Sequence, residues 1–455
     1  PRAGIFLMRM QFGLSAFTRS RGDLPELPVV NMFAEQAPTE EGGVVLQSRP
    51  GLVDRAADMG AGPVQALFKA DGVLDGALYG MSGSNLYRET VSLGALDGSG
   101  FASMAGYEDY LFANKGGSVW SYDGATLAAI AFPDGANVKK ILVGASRLIC
   151  LRSDTQTFYW STALATTVGA LDFAAAENQP DRLRDMLFIK DALVLGGAET
   201  VEFWPNTNNA ELPFQPLEGA VWRVGVKNTG AMCLYGTTFA VVTSENRVVL
   251  GDQENVVSAP GLEALIEASA NAYLFPFLID GTELLALRID SGTWVFNRRS
   301  GTFSTFETWE GQDWTPSCFD GGVFGSSVDG TTFSFSAHVD EGGVMERRFR
   351  AGFPLNGGGV PIHSISLRCN IGQTPYLTGI YADPIIEMRL SRDGGKTWGE
   401  WRAKTLGTQA NYRKLVRWNN CGQASHPGLL AEFRVTAPVD WRVSDVLLNE
   451  PRGGR

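Results

Sequence analysis

Ser391-Arg392-Asp393-Gly394-Gly395-Lys396-Thr397-Trp398 is the stretch of this chain whose residue types and spacing specify a definite local chemistry. It fits the Asp-box pattern S-x-D-x-G-x-T-W. Asp393 can accept backbone N–H groups across a hairpin turn, Gly395 supplies a left-handed conformation, and Trp398 can pack beneath. Ser391, Asp393, Gly395, Thr397 and Trp398 are therefore expected to form a structural turn. Other constellations fall short of chemistry. His338, His363 and His426 fit neither a zinc spacing nor a Ser-His-Asp signature. Cys150, Cys233, Cys318, Cys369 and Cys421 contain no CxxC, and an odd, dispersed set predicts reduced thiols buried in strands. Gly321-Gly322 and Gly357-Gly358-Gly359 lack the lysine and hydroxyl residue of a phosphate-binding loop. Arg21-Gly22-Asp23 spells an adhesion tripeptide, but three residues match by chance and nothing around them displays a loop. No catalytic residue, cofactor or metal site is expected.

Asp boxes recur in sialidases and other carbohydrate-active propellers, so a glycan-binding or glycan-hydrolysing propeller is the alternative reading. Such an enzyme needs clustered arginines and a tyrosine with a glutamate partner, and no segment shows that convergence. A two-carboxylate glycosidase is no easier to test, because among 49 acidic residues some pair always qualifies. Trp204, Trp222, Trp294 and Trp309 are spaced like core residues rather than as glycan platforms.

The elements that must carry these residues read as short strands. A line ending in aromatic or β-branched residues recurs: Ser84–Tyr87, Ser118–Trp120, Thr157–Trp160, Glu199–Trp204, Asn246–Leu250, Gly292–Phe296 and Gly330–Phe335. The interval is roughly 33 to 46 residues, that of one propeller blade. With 54 glycines and 21 prolines, the chain has the turn residues that many short strands require. Val73–Tyr79, Tyr110–Asn114 and Phe239–Val242 read as further strands, and Leu187–Leu195 as two strands broken at Lys190-Asp191. Pro260–Ala268 is the one clear helix, with proline near its start. The fold class is all-β: an N-terminal arm over residues 1–62, a β-propeller over 63–340, and a C-terminal β domain over 341–455 packing on it. Ile385–Ser391 and Ala431–Thr436 are strands of that last part.

A hydrophobic fraction of 44% supports a large core, and no apolar run reaches transmembrane length. The net charge of −11, without a run of lysine and arginine, argues against a protein that grips nucleic acid. It does not exclude DNA passing by, since a negative wall keeps a duplex from sticking.

Ordered pieces along the chain resemble one family. They are Val30–Glu35 with Arg49–Leu52, Glu199–Asn206 with Leu212–Gln215 and Glu218–Ala220, Val257–Ile266, and Gly292–Asn297. Leu390-Ser391 with Asp393–Trp398, and Tyr412-Arg413 with Arg417-Trp418, complete the set. Together they resemble the packaged-DNA stabilisation proteins of short-tailed bacteriophages, also called tail accessory factors or tail nozzle proteins. Two positions depart from the pattern: Thr282 follows Gly281 where the family often has histidine, and Asn297 stands where aspartate is common. The resemblance implies a structural virion protein, not an enzyme, made in the bacterial host cytoplasm and placed in the tail. It implies a homo-hexamer forming a tube below the portal and head-tail adaptor ring, which retains packaged DNA and guides its ejection. Tail fibre, spike or needle proteins are the other implied partners, with DNA passing through an acidic lumen without sequence-specific binding.

Overall fold

The computed structural model describes residues 8–12, 27–37, 43–135, 137–176, 181–336, 339–372 and 379–451. Seven small antiparallel sheets follow one another as blades, each a meander from an innermost to an outer strand. Their innermost strands are Val64–Phe68, Ser103–Tyr107, Val138–Gly144, Leu183–Ile189, Met232–Tyr235, Tyr273–Ile279 and Pro316–Asp320. The last lies against the first, so the ring is closed.

The local chemistry of the meander is in its hairpins. The first two strands of blade three turn at Ala145-Ser146, and those of blade four at Lys190-Asp191. All four residues have positive φ, between 48° and 60°. Two-residue turns of that hand match the right-handed twist of the strands they join. The recurring aromatic lines are the third strand of each blade: Asn85–Arg88, Val119–Tyr122, Thr157–Trp160, Val201–Pro205, Val248–Leu250, Gly292–Asn297 and Thr332–Ser336. In six blades the third strand is paired on both sides, in blade five Val248–Leu250 ends a three-stranded sheet, and the large side chains of these strands pack between blades. Trp160, Trp204 and Trp294 are buried accordingly. The helix Pro260–Ala268 follows blade five as its sequence indicates, and Leu262 and Ile266 turn into the core. Val73–Tyr79 departs from expectation. Gly72, Leu74 and Gly76 take φ of 82°, 48° and 68°, and the Asp75 carboxylate accepts the Ala77 N–H at 3.2 Å, so a turn replaces the strand until Tyr79.

The described parts of the segment expected as an arm are shared out between sheets. Gly51–Asp54 forms the outermost strand of blade seven, pairing Leu52 with Phe335 and Asp54 with Phe333. A Cβ on Gly51 would lie 1.9 Å from the Val339 carbonyl oxygen, so only glycine fits there. Met32–Gln36 and Val44–Ser48 complete a sheet with Arg442–Leu448, Ser364–Cys369 and Val416–Asn419. A second sheet, Arg347–Pro354, Gly428–Val435, Ile385–Ser391 and Arg402–Thr405, faces it across a core containing Met32, Leu46, Phe349, Trp418, Phe433 and Trp441. Val29–Val30 joins this sheet to blade six, pairing antiparallel with Arg347–Pro354 and parallel with Thr302–Phe306. The ring and the C-terminal sandwich are thus stitched together by strands of the first fifty-odd residues, while the blades otherwise run from Val64 to Ser336 and the sandwich strands resume at Arg347. No helix among the described residues is long and apolar enough to cross a membrane.

Candidate functional site

A propeller offers its axial channel first, where the innermost strands converge. Here the mouth is barred. Phe101, just before the inner strand of blade two, and Tyr273, at the start of that of blade six, stack with ring centroids 6.0 Å apart and planes 14° apart. Blades two and six lie on opposite sides of the ring, so the pair crosses the axis. Behind it stands Gly230, with φ of 87°, whose missing Cβ would sit 2.3 Å from the Phe101 ring. Any side chain there would displace the bar.

Asp185 holds this arrangement from blade four. Its side chain is fully buried. Oδ2 accepts the backbone N–H groups of Gly230 and Met232, both at 2.9 Å, while Oδ1 accepts the Met186 N–H at 2.8 Å and pairs with the Lys140 ammonium. Lys140 in turn lies 5.6 Å over the Phe101 ring. One carboxylate therefore ties blades three, four and five to the aromatic bar.

The bar divides the mouth into two halves. Beside blades seven and one lies a cavity of about 530 Å³ bordered by Gln65, Arg288, Ser317 and Phe319. Beside blades three to five lies one of about 380 Å³ bordered by Lys139, Arg184, Lys227 and Asn271. Phe101 and Tyr273 line both.

The Asp-box residues lie elsewhere, between Ile385–Ser391 and Arg402–Thr405 of the sandwich and not in any blade. Asp393 Oδ1 accepts the Ser391 hydroxyl at 2.7 Å and the Thr397 N–H at 3.0 Å, and Oδ2 accepts the Thr397 hydroxyl at 2.6 Å. Ser391 Oγ takes the Gly395 N–H at 2.9 Å, Gly395 has φ of 93°, and Trp398 donates from its indole to the Gly395 carbonyl at 3.1 Å. The Thr397 hydroxyl and amide, then the Ser391 hydroxyl, hold the Asp393 carboxyl well below its ordinary value. A depressed carboxyl contributes stability that is present above its unfolded value of 3.8 and lost as pH falls through the lower folded value. Asp393→Ala should therefore loosen the turn at neutral pH and speed tryptic cleavage after the exposed Lys396. Unchanged cleavage kinetics would count against this role for the carboxylate.

Trp398 also begins a ladder of rings and guanidinium groups. Arg350 and Arg389 lie 4.8 and 4.9 Å from its ring, Arg389 lies 4.5 Å from Trp401, and Arg434 lies 4.0 Å from Trp401. The buried Glu432 carboxylate pairs with Arg350 at 2.8 Å and with Arg389, and Glu387 pairs with Arg434 at 2.7 Å. The arginines gathered near the Asp box are thus engaged with rings and carboxylates of their own sheet.

The histidines, cysteines and tryptophans weighed from the sequence lie elsewhere. His363 and His426 are exposed, while His338 and Arg21-Gly22-Asp23 lie outside the described residues. All five cysteines are free thiols, and burial pushes Cys318 and Cys369 up to about 12. Trp204 and Trp294 are core residues as their spacing suggests, but Trp309 is 44% exposed. It lies in the loop between blades six and seven and packs on Gly343 of the segment after blade seven. Sequence reasoning missed the Phe101–Tyr273 bar and Asp185. The local signal available was Gly230, a glycine at the end of the loop before an inner strand.

Comparison with known proteins gives loose structural likenesses and one family match. Among solved structures, BamB from Moraxella catarrhalis is 11% identical, with 85% of this chain and 97% of that chain covered and a TM-score of 0.34. PorZ from Porphyromonas gingivalis is 10% identical, with 70% and 45% covered and a TM-score of 0.38. The Cps50 propeller domain of Myceliophteria thermophila is 9% identical, with 64% and 100% covered and a TM-score of 0.42. Likeness this loose carries no functional argument. No curated protein matches. A family model described as the β-propeller of bacteriophage P22 Gp10, a phage stabilisation family, matches residues 9–310, from the first described strands through blade six. By that match over more than half its length, the chain belongs to the phage stabilisation family of bacteriophage P22 Gp10.

Proposed function

We propose that this chain is a structural protein of a phage tail, several copies of which surround a conduit for the genome. The family match over residues 9–310 is the observation that carries this reading. The family resemblance implies six copies, a place below the portal and adaptor rings, contact with fibre, spike or needle proteins, and a part in retaining and ejecting packaged DNA. The barred axis bears on where that conduit runs. A duplex, whose major groove alone is about 12 Å wide, has no path past the Phe101–Tyr273 stack. The lumen must then lie between copies, walled by the outer surfaces of subunits. A net charge of −11 per chain suits such a wall, because it repels phosphates and lets DNA slide.

The reading is tested on the full chain by light scattering after gel filtration and by electron microscopy of the purified protein and of particles. A closed ring of six with an open lumen between subunits is expected. A protein that stays monomeric alone and forms no ring in particles rules the proposal out.

A further inference from the structure

Lys139, Arg184 and Lys227, from three neighbouring blades, line the smaller half of the barred mouth with Asn271 and Tyr273, and no carboxylate lines it. In a chain of net charge −11 this is a local inversion of sign. The nearest acids lie outside the cavity. Asp154, with a side chain 78% exposed, is 3.7 Å from Lys139. Glu267 and Asp290 act on Lys227 through space, and Asp290 accepts the Ala270 N–H at 3.0 Å.

The cations are positioned rather than loose. Arg184 donates from one terminal nitrogen to the carbonyls of Val226 and Lys227, at 2.8 and 3.0 Å, and its other N–H groups have no protein acceptor among the described residues. The Lys227 ammonium donates to Asn246 Oδ1 at 2.8 Å. Burial, opposed by Glu267 and Asp290 but reinforced by Arg184, holds Lys227 below the ordinary value for lysine. Two like charges crowded in a partly desolvated cavity are relieved by an anion that replaces the lost water.

We propose that this half of the mouth binds a phosphate group, carried by a single-stranded nucleic-acid end or by free inorganic phosphate. Three convergent cations and an amide suit a multiply charged oxyanion better than a single carboxylate. A volume of about 380 Å³ takes a phosphate with its sugar but excludes a duplex. Tyr273, on the same wall, offers a ring for an attached base. The site lies within one subunit, so it stands whether or not copies assemble.

The test is calorimetric titration of the full chain with inorganic phosphate and, separately, with a short 5′-phosphorylated thymidine oligonucleotide. Lys139→Gln with Lys227→Gln should weaken binding at least about tenfold, since the two substitutions remove two charge-assisted contacts to the phosphate oxygens. Lys404→Gln, on the exposed edge of the sandwich, should leave it unchanged. Uptake of both ligands means the phosphate group suffices, and uptake of the oligonucleotide alone identifies nucleic acid as the source. If the double variant melts early, Asn271→Asp provides the same comparison by adding a carboxylate at the exposed rim. The proposal is overturned if the wild type binds neither ligand, if both variants bind like the wild type, or if a glutamate peptide binds as tightly as phosphate.

Discussion

Asp340→Ala is expected to lower the stability of this chain by about 3–5 kcal/mol, measured by chemical or thermal unfolding. Asp340 and Arg49 both have fully buried side chains. Arg49 donates to Oδ1 and Oδ2 of Asp340, each at 3.0 Å, and Oδ1 also accepts the Leu52 N–H at 3.0 Å. The guanidinium reaches Asn31 Oδ1 at 2.9 Å, the Pro50 carbonyl at 2.9 Å and the Glu307 carbonyl at 2.7 Å. It lies 5.4 Å from Phe306 and 5.8 Å from Trp314. One charge pair therefore locks the ring-closing strand Gly51–Asp54, the end of blade six and the segment after blade seven. Removing the aspartate leaves a buried guanidinium without a counter-charge, which costs more than the pair itself contributes. Arg49→Met combined with Asp340→Leu removes both charges, and the double-mutant cycle should return a coupling of about 1–3 kcal/mol. A loss under about 1 kcal/mol for the single variant would show that the pair does not close the ring.

The second large effect is expected at the axis. Asp185→Ala deprives Gly230, Met232 and Met186 of an acceptor and leaves Lys140 unpaired in a cavity, for a loss of about 3–5 kcal/mol. Asp185→Asn is expected to be nearly as costly, because an amide nitrogen would face N–H donors in place of a carboxylate oxygen. Hydrogen exchange distinguishes this from general weakening. The amides of Gly230 and Met232 should exchange faster, while those of the sandwich strands keep their protection. Uniform loss of protection across both halves would refute a local role at the bar.

Much of the ring was legible in the residues because blade structure is local. The recurring aromatic or β-branched lines mark the third strands, because those strands supply large side chains that pack between blades. Lys190-Asp191 was readable as a break between strands, and Pro260–Ala268 as a helix, from turn and capping chemistry within a few residues. Val73–Tyr79 misled, because alternating apolar residues there are outweighed by the conformations of Gly72 and Gly76. The Asp-box hydrogen bonds lie within Ser391–Trp398, so spacing alone specified them.

Closure, the bar and the buried charges were not legible, and the reason is sequence distance. Arg49 meets Asp340 across 291 positions, and Gly51–Asp54 pairs with a strand some 280 residues later. Phe101 and Tyr273 carry no mark that separates them from other aromatics until the blades place them face to face over Gly230. Asp185 reads as an ordinary strand carboxylate until two blades bring it amides and an ammonium. Residue type and short spacing determined the kind of elements, while their number as blades was fixed only by closure of the ring. Which distant side chains meet, and hence whether the axis is open, was decided by how the blades close around it.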